Sequence, residues 1–201
     1  MRIISLVTDS LRRRWAWLRR VPRTRGFGVQ SPWAYGMIRY VIHERYPYYA
    51  YDDLAKSFPA LGGRERALGE LYLRLSNAVG RRVWSVGGCG DDHRAAYIRA
   101  GCRASTVVGR DAAAAGEGGA CDVLVFSSVA DCRRLFEPFA RRADAGALLI
   151  VEHIHRSKEF AQAWREIQES HLAGISFDLY DCGLVFFDMA MHKRSYAVNL
   201  R

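Results

Sequence analysis

At 201 residues, half hydrophobic and a quarter charged, the chain can bury one sizeable core, and no apolar run approaches the roughly 20 residues a membrane-spanning helix needs. Its five cysteines (Cys89, Cys102, Cys121, Cys132 and Cys182) are odd in number and never form Cys-x-x-Cys, which argues against a disulfide framework and a zinc cluster. The net charge of +9 is concentrated: residues 1–30 hold eight arginines against Asp9 alone, a local +7, so the basic character belongs to a segment rather than to the core.

The run Ile3–Val7 is too short for the apolar part of a secretion signal, so a cytoplasmic protein is expected. Residues 3–20 read as a helix, with Ile4, Val7, Leu11, Trp15 and Leu18 at three- and four-residue steps and Asp9, Arg12, Arg13, Arg19 and Arg20 mostly off that stripe. An apolar stripe with an arginine-rich flank suits an anionic membrane surface, which would make the protein peripheral to a membrane, or a nucleic acid. It also suits packing on its own domain or on a second subunit, as in a homodimer. The expected organisation is a basic amphipathic helix over 1–24, a helical cap over 25–80 and an α/β domain over 81–201.

Ser31 is a good N-cap with Pro32 at the first helical position, predicting a helix to about Tyr46 whose buried face includes Tyr35, Ile38, Val41 and Ile42. Pro47 stops it and leads into Tyr46–Asp53, where four tyrosines in six residues suggest a packing surface or an aromatic lid. A further helix is predicted over 64–79, ending at Gly80. From residue 82 the rhythm changes. Strands are predicted at Val83–Val86, Ser105–Val108, Asp122–Phe126 and Ala147–Val151, separated by helices over 92–100 and 130–142 and a glycine-alanine loop over 112–119. After a helix over 157–170, Ile175–Leu179 and Leu184–Phe187 read as an antiparallel pair, with a last strand at Tyr196–Leu200. Continuous apolar strands spaced by helices imply a mostly parallel sheet covered on both faces.

The stretch Val83-Trp84-Ser85-Val86-Gly87-Gly88-Cys89-Gly90 closes an apolar strand on three glycines and feeds a helix that starts Asp91-Asp92-His93. Strand, glycine turn, helix is the entry to a nucleotide- or nucleoside-binding unit, because glycine lets backbone N–H groups approach a ligand. An ordinary tight turn reads the same way. Of the cysteines, only Cys89 lies where a helix N-terminus can lower a thiol pKa; the others read as small buried hydrophobes.

A parallel sheet that opens with a glycine turn and finishes with an antiparallel pair resembles the class I S-adenosylmethionine-dependent methyltransferase fold. More narrowly, Leu149–Glu159, Ala163-Trp164-Arg165-Glu166-Ile167 and Phe177–Phe187 resemble a group of small bacterial methyltransferase-like proteins, as do Gly26–Pro32 and Tyr46–Asp53. The resemblance spans about residues 25–200 and implies a Rossmann-like sheet with S-adenosylmethionine as cofactor. It makes Gly87, Gly88 and Gly90, with Ser127 and Ser128 at the end of a later strand, the candidate cofactor contacts.

The departures fall where the chemistry should be. The resemblance implies an acid two positions before the first glycine, to address the methionine ammonium; this chain has Ser85. It implies an acid at the end of the second strand for the ribose hydroxyls; this chain has Val108-Gly109-Arg110, and an arginine cannot accept those protons. Residues 109–121 are too few for the usual helix, third strand and helix, since one crossover alone takes about a dozen residues. The third-strand unit is therefore expected to be missing. Glu152, His153 and His155 remain as candidates for acid–base work, with the two histidines on one side if the strand continues through them; no further ligand clusters with them, and no metal site is assigned. The expectation is a methyltransferase-like domain with a degraded cofactor site that acts as a binding or scaffold protein. The alternative is an active methyltransferase on a small-molecule O or N acceptor.

Overall fold

The computed structural model describes residues 14–21, 28–87, 93–109 and 121–200. Its first helix, α1, covers 14–21 of these. Next, α2 (Pro32–Met37) runs without a break into a π-helical turn (Ile38–Ile42). Ser31 caps α2 as expected, its hydroxyl accepting from the Ala34 amide at 3.2 Å. The π turn leaves carbonyls without helical partners, and the buried Arg74 takes two of them: Nε donates to Val41 O at 2.7 Å and Nη2 to Ile42 O at 3.3 Å. The tyrosine-rich stretch leads into α3 (Tyr49–Ser57), and Tyr48 and Tyr51 pack against the core, as a packing surface rather than a lid would. Then come α4 (Gly63–Val79), β1 (Val83–Val86), α5 (His93–Gly101) and β2 (Thr106–Gly109). The chain continues through β3 (Val123–Phe126), α6 (Val129–Arg142), β4 (Leu148–Glu152) and α7 (Lys158–Glu169). It ends with β5 (Ser176–Asp178), β6 (Cys182–Phe186) and β7 (Ser195–Ala197).

The seven strands form one sheet in the order β2-β1-β3-β4-β6-β5-β7. β2, β1, β3 and β4 are mutually parallel, β6 runs antiparallel to both β4 and β5, and β7 extends the sheet parallel to β5. This is a Rossmann-like sheet, mostly parallel with an antiparallel element at its C-terminal end. In a doubly wound sheet of order 3-2-1-4-5-6 a third strand would flank the second. Among the described residues β2 has only β1 beside it, as the short 109–121 interval predicts.

Each strand is apolar throughout because each face has its own cover. Leu148 and Ile150 of β4 face the helices before and after β1, joining Leu71, Tyr72, Trp84 and Leu184. Leu149 and Val151 face α6 and α7, joining Phe126, Phe139, Trp164 and Val185. Contacts are close on both sides. A Cβ at Gly69 of α4 would lie 2.6 Å from the Tyr97 ring of α5, and one at Gly183 of β6 would run into the Trp164 indole of α7. The Ala-Trp-x-x-Ile and Cys-Gly-Leu-Val segments therefore meet face to face.

Candidate functional site at the carboxyl edge of the sheet

All strands but β6 point the same way, so Gly87, Gly109, Ser127, Glu152 and Asp178 come to one edge of the sheet. That is the edge where open α/β sheets bind ligands. The structure divides its chemistry between two separate clusters.

The first is built on Glu152, the last residue of β4, whose side chain continues the Leu148–Ile150 row toward α4 and α5 and is fully buried. Arg94, in the first turn of α5, donates from Nε to Oε1 at 2.8 Å and from Nη2 to Oε2 at 2.9 Å. The Tyr72 hydroxyl of α4 donates to Oε1 at 2.6 Å. Burial, then the Glu152 charge beside it, pushes the Tyr72 pKa well above its ordinary value, so the phenol stays a donor. Cys182 lies opposite Glu152 in the β4–β6 register, and burial raises its thiol pKa too. A buried carboxylate with a bidentate arginine and a tyrosine is satisfied where it stands, and ties α4, α5 and β4 together.

The second cluster is built on Asp178 at the end of β5. β4 stops at Glu152, so the histidines do not share one side of a continuing strand. His153 takes a left-handed conformation (φ 61°), its amide donating to Asp181 O at 2.6 Å, and its side chain is exposed. His155 is half-buried and faces the other acid: Nε2 lies 2.9 Å from Asp178 Oδ2. Arg20 of α1 donates to Asp178 Oδ1 at 2.7 Å and sits over the Tyr180 ring. Burial alone would raise the Asp178 pKa; the His155 hydrogen bond and the Arg20 charge outweigh it and hold the carboxyl below its ordinary value. Of the three acid–base candidates, then, Glu152 is locked, His153 faces solvent, and His155 is oriented by an aspartate. Among the described residues no three His, Cys, Asp or Glu side chains are grouped to hold a metal ion.

Of the five candidate cofactor contacts, Gly87, Ser127 and Ser128 lie among the described residues. Ser85 pairs with Leu124 in register and faces the α6–α7 side, its hydroxyl buried and without a hydrogen-bond partner, turned into the core rather than toward the edge. Ser128 is consumed as the N-cap of α6, accepting from the Asp131 amide at 3.1 Å and donating to the Asp131 carboxylate. Gly109, the last described residue of β2, has no side chain to accept from ribose hydroxyls. Gly87 follows β1 and Ser127 follows β3, both half-buried. Gly88, Cys89, Gly90, Asp91, Asp92, Arg110 and Asp111 lie outside the described residues.

The sequence reading missed Tyr72, Arg94, Asp178 and Arg20. For Arg94 a signal existed, since a cation in the first turn of a helix opposes the helix dipole and asks for a carboxylate. The free cysteines Cys121, Cys132 and Cys182 are buried, with Cys132 pushed up to about 12 by burial, as expected of small hydrophobes.

No protein-family model matches the chain, and no curated protein sequence matches it. Among solved structures it is similar to one described as the crystal structure of cofactor-bound Rv0187 from MTB, at 15% identity and a TM-score of 0.47, covering 69% of this chain and 88% of that one. A likeness of that size says nothing about ligand or activity.

Proposed function

We propose that this chain is a methyltransferase-like domain whose S-adenosylmethionine site has been dismantled, and that it works as a binding or scaffold protein. The observation that carries this reading is Ser85, which stands where an acid would address the methionine ammonium and turns a buried, unpartnered hydroxyl into the core. Ser128, tied to Asp131, supports it. Glu152, the acid–base candidate at the end of β4, is fully buried and spends both oxygens on Arg94 and Tyr72, which removes it from catalysis. Native mass spectrometry of the purified full chain tests it. The bare polypeptide mass is expected; S-adenosylmethionine or its demethylated product retained on the protein would overturn the proposal.

One observation favours the alternative, an active methyltransferase on a small-molecule O or N acceptor. His155 is half-buried at the ligand-binding edge and oriented by Asp178, an arrangement that suits a general base. Methyl transfer from labelled S-adenosylmethionine to small alcohols or amines, lost in His155→Asn, would support that reading.

A further inference from the structure

Among the described residues of α1, Ala16, Arg20 and Val21 are half-buried and the other five are exposed. Counting 100° per residue, Ala16 and Arg20 lie together and are half-buried; Arg20 reaches Asp178, and the Trp17 carbonyl accepts from Asn199 Nδ2 at 3.0 Å. Leu18 sits nearly opposite, flanked by Trp15 and Trp17, and these three are 63%, 66% and 53% exposed. The Trp15–Leu18 part of the apolar stripe thus points away from the domain. Arg14 and Arg19 are exposed on the same outward side, with the Arg19 guanidinium 5.6 Å from the Trp15 ring centroid.

A second exposed aromatic and basic patch is tied to α1 through Asn199. Asn199, which holds Trp17, also takes a backbone hydrogen bond from the His43 ring. His43 lines an open cleft of about 800 Å³ beside Arg39, Tyr40, Arg45 and Tyr46, and all four of these side chains stand exposed. Exposed tryptophan and tyrosine mixed with arginine, around one aliphatic side chain, is the chemistry of a membrane interface: rings and leucine enter the acyl boundary and guanidinium groups stay with phosphates.

We propose that α1 and the adjoining Tyr40–Tyr46 rim dock this protein onto an anionic lipid bilayer, with Leu18, Trp15 and Trp17 inserted and the arginines at headgroup level. Charge argues for this occupant, because the first 30 residues carry +7 of the chain's +9. Leu18 at the centre of the outward face argues against a nucleic acid, whose phosphates give an aliphatic side chain nothing to contact. Among the described residues no helix is long and apolar enough to cross a membrane, so the helix lies on the surface. The inference does not depend on whether the cofactor site works.

The test is flotation of the full chain with vesicles of phosphatidylcholine alone and of phosphatidylcholine with 30% phosphatidylglycerol (about the anionic content that gives a strong surface potential). The proposal expects binding to the anionic vesicles alone, a blue shift of tryptophan emission, and about a ten-fold loss of binding in Trp15→Ser/Leu18→Ser with the far-ultraviolet spectrum unchanged. Equal binding by that variant overturns it. So does an absence of binding to anionic vesicles, whether the face then proves to mediate self-association in sedimentation or to bind RNA.

Discussion

Arg94 and Glu152 stand 58 residues apart and meet through two charge-assisted hydrogen bonds, 2.8 and 2.9 Å long, across the carboxyl edge of the sheet. The helix that follows the glycine turn is thereby fastened to the strand whose last residue carries the acid. Removing either partner has unequal consequences. Arg94→Met leaves a buried carboxylate uncompensated and should cost about 3–5 kcal/mol, whereas Glu152→Gln, which still accepts from Tyr72, should cost less. Urea unfolding of the two variants measures the difference, and equal losses would remove the network from its structural role.

The latch between α1 and the sheet is ionic at Asp178. Its pKa is held below the ordinary 3.8, so the stabilisation is fully present above that value and is lost as pH falls through the lowered one. Trypsin cleavage within residues 14–20 of the folded protein should be slow at neutral pH and fast in Asp178→Asn. Proteolysis by pepsin, followed by mass spectrometry, should show the segment released only as pH falls through the lowered Asp178 pKa.

His43 behaves in the opposite sense to a paired histidine. Burial first, then Arg74, Arg45 and Arg39, pushes its pKa from 6.5 to about 4, and its Nε2 has no hydrogen-bond partner. The folded state therefore holds it neutral while the unfolded chain protonates it, so stability should fall as pH drops from 6.5 toward 4 and level off below. Melting temperatures at pH 7 and pH 5 should converge in His43→Gln. An unchanged gap would put the pH dependence elsewhere.

Gly183 lies under the Trp164 indole, where an added Cβ has no room. Gly183→Ala should destabilise by about 1–3 kcal/mol through overpacking, and Gly183→Val by more. Thermal unfolding checks this directly; a neutral alanine would mean that α7 shifts freely on the sheet.

Much of the architecture was legible because it is local. The apolar runs at Val83–Val86 and 147–151 match β1 and, within a residue, β4, and Ser31-Pro32 marks the start of α2. The π turn was not legible, since it depends on Arg74 reaching carbonyls 32 and 33 residues away. The tyrosine-rich stretch was legible as a packing surface, since Tyr48 and Tyr51 pack against the core, but not as the helix α3 that carries Tyr49 and Tyr51. At the site, Glu152 and His155 were visible as residues while their partners were not. Those partners, Arg94, Tyr72, Asp178 and Arg20, arrive from separations of 58, 80, 23 and, for Arg20 with Asp178, 158 residues, which no periodicity records.

The proposed function stands or falls on whether the carboxyl edge holds S-adenosylmethionine, given Ser85 turned into the core where an acid would meet the cofactor. Isothermal titration calorimetry of the full chain with S-adenosylmethionine and with its demethylated product tests this most directly. The proposal predicts no saturable heat with either ligand up to about millimolar concentration, where binding would contribute only about 4 kcal/mol. A micromolar dissociation constant for either would contradict it.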